Sequence, residues 1–320
     1  MEEILGTDAD FSQKAVALFQ FQYHTNLVYR QWVAATAQGI SQPVSLTQIP
    51  FLPISFFKTH HPLVAGHKPQ VTFTSSGTTG MVVSQHSVAF EDWYRKSFRT
   101  AFQLFYGQPN EWAIIGLLPS YLERQGSSLV YMTEHLAQQS NNKDSGLYLH
   151  DFKRLYKVLQ KREAAGQKTW LIGVTYALLD FAEQYPQPLQ HTTILETGGM
   201  KGRKKELTRA EVQQILQQAF QLTAVHSEYG MTELLSQAYA MGNSIFRCPP
   251  WMKVLVRDED DPLSLHLSGT GALCIIDLAN AYSCSFIATE DIGKVYEDGS
   301  FEVLGRLDNS DIRGCSLLAL

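Results

Sequence analysis

Four short apolar runs in the middle of the chain constrain the fold more than any other feature of the sequence. They begin at residues 112, 170, 192 and 221 and read WAIIGLLP, WLIGV, TTILETGG and QLTAVHSEYG. The segments between them are long enough for helices, and such alternation of strands with helices is typical of βαβ units. The sequence therefore predicts an α/β fold built around a parallel sheet.

The two ends of the chain have a different texture. Between about Phe11 and Ala37 apolar residues recur at near-helical spacing, and the stretch ISQPVSLTQIPFLP then breaks the pattern with three prolines. After Phe246 the chain consists mostly of strand-like runs, and the Asp298-Gly299 pair predicts a hairpin between two of them. We expect a helical leader with a connecting segment (1–70), an α/β core (71–245) and a β-rich subdomain (246–320).

One helix of the core is well defined by its sequence. Thr208 and Glu211 have the spacing of a capping box, and apolar residues after them fall on one helical face. We place Gly198 and Gly199 in the loop between the preceding strand and this helix.

Charge and composition exclude several classes of protein. The 320 residues have a formal net charge of -5, which offers no broad basic surface for nucleic acid. No window holds eighteen consecutive apolar residues and the first thirty residues lack a signal-peptide pattern, so we expect a cytoplasmic protein without a membrane span. The four cysteines contain no C-x-x-C pair and are expected to be reduced thiols.

The segment from Ser75 to Gly80, SSGTTG, is rich in hydroxyl groups and glycine. Clustered backbone N–H groups and hydroxyls suit a bound anion such as phosphate, because glycine lets the chain approach closely. Neither the Walker pattern nor the G-x-G-x-x-G fingerprint is present. Five residues beyond Gly77 and Gly80, where the Walker pattern requires its second glycine, stand Val82 and Gln85. Taken alone, the segment fits a phosphate-binding loop and a polar surface turn equally well.

Four motifs in a fixed order resemble those of the adenylate-forming superfamily, whose members activate carboxylic acids with ATP. They are SSGTTG (75–80), EYGMTE (228–233), ATEDIG (288–293) and LGRLDNSDIRG (304–314). ETGGMKGR, PPWMKV and IIDLAN are also similar to the LuxE-type acyl-protein synthetases, a family that includes a component of the fatty-acid reductase of bacterial luminescence. The resemblance runs from about Thr72 to the last residue. It implies the large N-terminal domain of the superfamily, with parallel and mixed sheets, followed by a β-rich subdomain.

The resemblance implies a role for each residue of these motifs. Thr232 would contact the α-phosphate, Glu233 would hold Mg²⁺, and Arg306 would contact the ribose or the α-phosphate. The remaining residues would bind ATP: Ser75, Ser76, Gly77, Thr78, Thr79 and Gly80 around the β- and γ-phosphates, Gly198 and Gly199 beside the adenine, Tyr229 on its ring, and Asp291 on the ribose hydroxyls. ATP and Mg²⁺ are thus the implied cofactors.

Each residue also has a structural interpretation when it is taken alone. Tyr229 then packs in the core, Glu233 is a first-turn helix carboxylate, Asp291 belongs to a turn at a strand end, and Arg306 is a surface side chain. His226 fits a buried residue as well as a substrate contact. The joint occurrence of the motifs in family order favours the functional roles.

The chain departs from the larger superfamily after the motif around Arg306. Adenylate-forming enzymes generally continue with a small mobile domain that carries a catalytic lysine, whereas only six residues follow Gly314 here. LuxE-type enzymes pass the acyl group to a cysteine near their own C-terminus, and Cys315 matches that position. A thiolate is a good nucleophile and a good leaving group, which suits a relay. A buried structural thiol is the alternative for Cys315.

The sequence predicts a ligase that makes acyl-AMP from ATP and a carboxylic acid, with a fatty acid as the expected substrate, and transfers the acyl group to a protein cysteine or carrier thiol. An acyl-protein reductase or an acyl carrier protein would be the partner. Two other functions fit the sequence, namely a phenylacetate-type acyl-CoA ligase and a non-catalytic nucleotide-binding subunit.

Overall fold

The computed structural model describes residues 10–36, 42–75, 82–119, 126–198, 207–258, 261 and 263–306. The α-helices of these ranges are α1 (Phe11–Thr25), α2 (Leu27–Thr36), α3 (Phe56–Thr59), α4 (Glu91–Tyr106), α5 (Ser128–Ser140), α6 (Phe152–Ala164), α7 (Thr175–Gln184) and α8 (Arg209–Phe220). The strands are β1 (Leu52–Pro53), β2 (Val71–Thr74), β3 (Gln85–Val88), β4 (Ala113–Leu117), β5 (Gly146–Leu147), β6 (Thr169–Val174), β7 (Thr192–Thr197), β8 (His226–Tyr229), β9 (Ala238–Ala240), β10 (Phe246–Arg247), β11 (Met252–Arg257), β12 (Leu265–His266), β13 (Gly269–Asp277), β14 (Phe286–Val295) and β15 (Phe301–Arg306). Within the described ranges, no helix combines the length and the apolar character needed to cross a bilayer.

One large mixed sheet organises the described part of the chain. Its strand order is β12-β11-β13-β14-β15-β10-β9-β8-β7-β6-β4-β5, with β1 added in parallel to β14, and β2 pairs separately with β3. Strands β5, β4, β6, β7 and β8 are parallel, whereas the strands from β9 to β12 along the order pair antiparallel. The predicted α/β class and the four core strands are confirmed. The division at residues 70 and 245 stays a prediction.

Strands β4 and β6 are buried along their whole length, which explains their continuous apolar runs. Along β6, Trp170 and Ile172 belong to one core cluster and Leu171, between them, belongs to the other. Phe102 of α4 packs on the first face and Leu216 of α8 on the second. Full burial of each such side chain contributes about 1.5–3 kcal/mol to the free energy of folding. The helices on both faces therefore stabilise the sheet.

The helical leader packs against the β-rich end of the chain. The side-chain amide of Gln22 in α1 donates to the carbonyls of Asn280, at 3.1 Å, and Ala281, at 2.8 Å. The amide of Asn26 donates to the carbonyl of Ser283 at 2.7 Å. These bonds join residues more than 250 positions apart, and no local sequence pattern predicts them.

Two local predictions are confirmed. Thr208 and Glu211 form a reciprocal capping box at the start of α8. Asp298 and Gly299 lie in the turn between β14 and β15, where Gly299 has φ +79°, a conformation that favours glycine. This hairpin brings the ATEDIG motif and Arg306 onto paired strands.

Replacing Gly293 with alanine is expected to lower the free energy of unfolding by about 1–3 kcal/mol, because overpacking forces neighbouring backbone to move. An added Cβ would clash with the carbonyl oxygen of Glu302 on β15. Gly305, opposite Ile292 on the same strand pair, has nothing within 4 Å of an added Cβ and provides the matched control Gly305→Ala. Urea denaturation measures both variants, and equal midpoints would contradict the expected clash.

Candidate active site

Three of the predicted nucleotide-binding residues meet at one carboxylate. Asp291 and Arg306 are register partners on β14 and β15, and Arg306 Nε lies 3.4 Å from Asp291 Oδ1. The hydroxyl of Tyr229, at the end of β8, donates to Asp291 Oδ2 at 2.7 Å. The Arg306 side chain is 71% exposed while that of Asp291 is 15% exposed, so the cluster lies where the sheet meets solvent.

Tyr229 is both a core residue and a site residue. Its ring packs against Phe246 and Phe301, with centroids 5.8 and 5.3 Å away, and the residue is buried. Burial and the negative charge of Asp291 raise the pKa of its hydroxyl well above the ordinary value. The hydroxyl therefore stays protonated and orients the Asp291 carboxylate.

The next motif residues lie in the connection between β8 and β9. Glu233 is buried, and burial raises the pKa of its carboxyl, while a hydrogen bond from Ser84 and the charges of Arg306 and Lys58 oppose the rise. Thr232 and Glu233 form a turn and not a helix, so the helix-dipole interpretation of Glu233 does not hold. This carboxylate has little solvent to stabilise its charge, which makes it a suitable partner for a cation.

Ser75 closes the base of the glycine-rich segment. Its N–H donates to the carbonyl of Ser84 at 3.0 Å, and the N–H of Ser84 donates to Ser75 Oγ at 2.9 Å. Ser84 therefore connects Ser75 to Glu233, a link that sequence reasoning missed. The other predicted residues of this segment, Ser76, Gly77, Thr78, Thr79 and Gly80, lie outside the described residues.

Gly198 lies directly after β7, beside the end of β8, because the two strands are parallel neighbours. It has φ +71°, and its carbonyl accepts from the hydroxyl of Thr175 at 2.8 Å. This arrangement puts Gly198 and Tyr229 at the carboxyl edge of the parallel strands, the usual location of ligands in open α/β sheets. Gly199 lies outside the described residues.

Two buried glutamates lie next to this edge on β7 and β8. Glu196 accepts from Ser227 Oγ at 2.7 Å and from Arg209 Nε at 3.2 Å. Glu228 accepts from the hydroxyl of Thr197. Burial, together with the charge of Glu196, raises the pKa of Glu228 to about 7, although the bond from Thr197 opposes the rise. Sequence reasoning missed this pair because glutamates at strand positions look like exposed residues.

The cysteines of the described ranges are poor nucleophiles. Cys274 and Cys284 are buried, Cys248 is half-buried, and burial raises the pKa of each thiol to about 12. They stay protonated at neutral pH, which fits a structural role. Cys315, the predicted acceptor, lies outside the described residues.

His226 is half-buried and its Nδ1 lies 3.3 Å from the hydroxyl of Tyr106. Burial lowers the pKa of the ring. Its described contact is thus with a core side chain on α4, which matches the structural interpretation.

Glu228→Gln is expected to flatten the pH dependence of stability. A glutamate in the unfolded chain loses its proton near pH 4.5, whereas folded Glu228 keeps its proton until about pH 7. The folded state therefore binds more protons between these values, and the free energy of unfolding falls as the pH rises through this window. Urea midpoints from pH 4.5 to 8 should fall less steeply in the variant. Burial also raises the pKa of Asp277, to about 6, so some slope remains.

The control for this experiment is Glu134→Gln, which changes an exposed carboxylate on α5. It should retain the wild-type slope. A Glu228→Gln slope equal to that of the wild type would contradict the assignment of a buried, protonated Glu228.

The chain is similar to known proteins in sequence and in fold. No family model matches the chain. Two curated proteins, the long-chain-fatty-acid–luciferin-component ligases of Vibrio harveyi and Aliivibrio fischeri, are each 24% identical to it over 93% of its length, covering 84% and 85% of their own. The resemblance to LuxE-type synthetases is thereby confirmed.

Solved structures identify the fold. ATP-bound MatB from Rhodopseudomonas palustris matches 73% of this chain with a TM-score of 0.52 at 15% identity, and the inhibitor-bound N-terminal domain of FACL13 from Mycobacterium tuberculosis matches 77% with a TM-score of 0.50 at 15% identity. The matches span 47% and 63% of those chains, less than two thirds of either. The chain has the fold of the adenylate-forming enzymes and is similar to the luciferin-component ligases over nearly its whole length.

Proposed function

We propose that this protein is an ATP-dependent ligase that converts a carboxylic acid to an acyl-AMP and passes the acyl group to a thiol. The observation that carries the proposal is the convergence of Tyr229 and Arg306 on the carboxylate of Asp291, at the ligand edge of an adenylate-forming fold. The relatives are named as ligases of a long-chain fatty acid, which supports both the reaction class and a fatty acid as substrate.

The nucleotide lies along the ends of the central strands in this proposal. Gly198 and Gly199 border the adenine, and the ring of Tyr229 packs on it. The ribose hydroxyls donate to Asp291, whose two oxygens are already oriented by Tyr229 and Arg306. The segment from Ser75 to Gly80 surrounds the β- and γ-phosphates, and Thr232 contacts the α-phosphate.

Mg²⁺ suits the donor set around Glu233. A carboxylate oxygen is a hard ligand, and Mg²⁺ in nucleotide sites is commonly held by one or two carboxylates together with substrate phosphates. Within the described ranges no three or more His, Cys, Asp or Glu side chains gather as a metal site. When bound, Mg²⁺ would neutralise charge on the phosphate oxygens.

The first half-reaction forms one bond and breaks one bond. A carboxylate oxygen of the substrate attacks the α-phosphorus of ATP, the bond from that phosphorus to the bridging oxygen breaks, and pyrophosphate leaves. Thr232 and Arg306 hold the phosphate oxygens on which charge accumulates. The protein contributes position and electrostatic stabilisation and no covalent step.

In the second half-reaction a thiolate attacks the acyl carbon, and AMP leaves with the oxygen that came from the acid. Cys315 is the acceptor in this proposal, because burial keeps the thiols of Cys248, Cys274 and Cys284 protonated. An acyl-protein reductase or an acyl carrier protein would then receive the acyl group.

The wild type, incubated with ATP, Mg²⁺ and a series of fatty acids, should release AMP and carry an acyl adduct that hydroxylamine removes. The variant Cys315→Ser should carry no adduct. The mass of the intact protein measures the adduct in both. Retention of the adduct on Cys315→Ser would contradict the assignment of the acceptor. Formation of acyl-CoA with free coenzyme A, without an adduct, would favour the phenylacetate-type ligase. Nucleotide binding without AMP release for any acid would favour the non-catalytic subunit.

Asp291 should determine selectivity for the ribose hydroxyls. The wild type is expected to use ATP about 10- to 100-fold better than 2′,3′-dideoxy-ATP, because hydrogen bonds to a charged group contribute about 1.5–3 kcal/mol. Asp291→Ala should lose most of this selectivity, chiefly through weaker use of ATP. Acid-dependent ATP–pyrophosphate exchange measures kcat/KM for both nucleotides.

The matched control is Asp298→Ala, which removes another carboxylate from the same hairpin, where it pairs with Arg247 at 3.3 Å. This control should keep the wild-type ratio. An unchanged ratio in Asp291→Ala would show that the ribose is bound elsewhere.

A further inference from the structure

A buried histidine connects the strand that follows the glycine-rich segment to the Thr232–Glu233 turn. His86 on β3 is fully buried, and its Nδ1 lies 2.8 Å from the carbonyl oxygen of Thr232. On the other side of the ring, Nε2 lies 3.1 Å from Asn280 Oδ1. The edge of the ring packs on Phe57 of α3, with centroids 5.6 Å apart.

The proton on His86 can be placed from these contacts. Burial lowers the pKa of the ring to about 4, so the neutral form with one N–H prevails at neutral pH. Both ring nitrogens face oxygens that can only accept, the carbonyl of Thr232 at 2.8 Å and Asn280 Oδ1 at 3.1 Å. The single N–H of the neutral ring belongs on Nδ1, at the shorter contact, and Nε2 then lies beside Oδ1 without a hydrogen bond. His86 thus donates to the backbone of the turn.

Asn280 holds the next carbonyl of the same turn. Its Nδ2 donates to the carbonyls of Glu233 and Cys284, each at 2.8 Å. These two bonds use both donors of the amide and fix its orientation, with Oδ1 towards His86. The carbonyls of Thr232 and Glu233 are therefore held by two adjacent side chains that come from distant parts of the chain.

We infer that His86 is a positioning residue that, together with Asn280, fixes the backbone of the Thr232–Glu233 turn relative to strand β3. This inference rests on the proposed function, in which Thr232 contacts the α-phosphate and Glu233 holds Mg²⁺. Ser84 and His86 lie on the same arm of the β2–β3 hairpin, so one short segment contacts both the carboxylate of Glu233 and the backbone before it. A shift of this backbone displaces both groups at once, and small displacements of positioned groups strongly reduce rates.

Three substitutions of His86 separate the loss of the hydrogen-bond donor from the loss of the ring. The side-chain nitrogen of asparagine occupies the place of His Nδ1, two bonds beyond Cβ, whereas the nitrogen of glutamine corresponds to Nε2. His86→Asn should therefore keep the bond to Thr232 and stay within about fivefold of the wild-type rate of fatty-acid-dependent ATP–pyrophosphate exchange. His86→Gln and His86→Leu should lose about 10- to 100-fold in kcat, with a higher Mg²⁺ concentration for half-maximal rate and little change in KM for ATP.

Leu159→Ala provides the control for lost stability. It removes a fully buried side chain of α6 in the core cluster on the other face of the sheet, so it lowers stability without touching the turn. It should keep the wild-type kcat and Mg²⁺ dependence at temperatures where it is folded. If His86→Asn, His86→Gln and His86→Leu lost equal activity, or if none lost any, the positioning role would be wrong.

A measurement on the protein without substrates separates this inference from the proposed function. Hydrogen exchange followed by mass spectrometry should show faster exchange of the peptide spanning residues 230–238 in His86→Gln and His86→Leu, and wild-type exchange in His86→Asn. A wild type that is inactive with every acid would overturn the proposed function while this pattern still tested the role of His86. Wild-type exchange in all three variants would overturn the inference itself.

Discussion

The rest of the site depends on the interactions of the Asp291 carboxylate with Tyr229 and Arg306. The carboxylate accepts a hydrogen bond from the hydroxyl of Tyr229 on β8. It also pairs with the guanidinium of Arg306, which lies opposite it on β15. Tyr229 belongs to the parallel half of the sheet and Asp291 to the antiparallel half, so the carboxylate joins the two halves at their common edge. A carboxylate held from both sides has fixed oxygens, which is what recognition of a diol requires.

The two halves of the sheet make different contributions. Helices pack on both faces of the parallel strands, whose carboxyl ends provide Gly198, Tyr229 and the turn that follows. The antiparallel strands bring Asp291 and Arg306 into register by a hairpin whose turn requires the positive φ of Gly299. The helical leader stabilises this second half through buried amides such as that of Gln22, which donates to the carbonyls of Asn280 and Ala281.

Local patterns predicted the strands, the capping box of α8 and the hairpin, because each depends on residues close in sequence. The order of the motifs predicted which side chains would share a site, and the structure brings Tyr229, Asp291 and Arg306 together. The contacts of His86 with Thr232 and Asn280 join residues 146 and 194 positions apart. The periodicity of apolar residues along the sequence does not predict contacts of this kind. The raised pKa of Glu228 likewise follows from burial by tertiary packing, which a single sequence does not specify.

In the proposed reaction a carboxylate oxygen of the substrate attacks the α-phosphorus of ATP. The most direct test is to supply a long-chain fatty acid labelled with ¹⁸O in both carboxyl oxygens, together with hydroxylamine, which takes up the acyl group as a hydroxamate, and to analyse the products by mass spectrometry. Activation through an acyl-adenylate predicts that one ¹⁸O atom is recovered in AMP and none in pyrophosphate. Unlabelled AMP, or ADP together with labelled inorganic phosphate, would contradict activation through an acyl-adenylate.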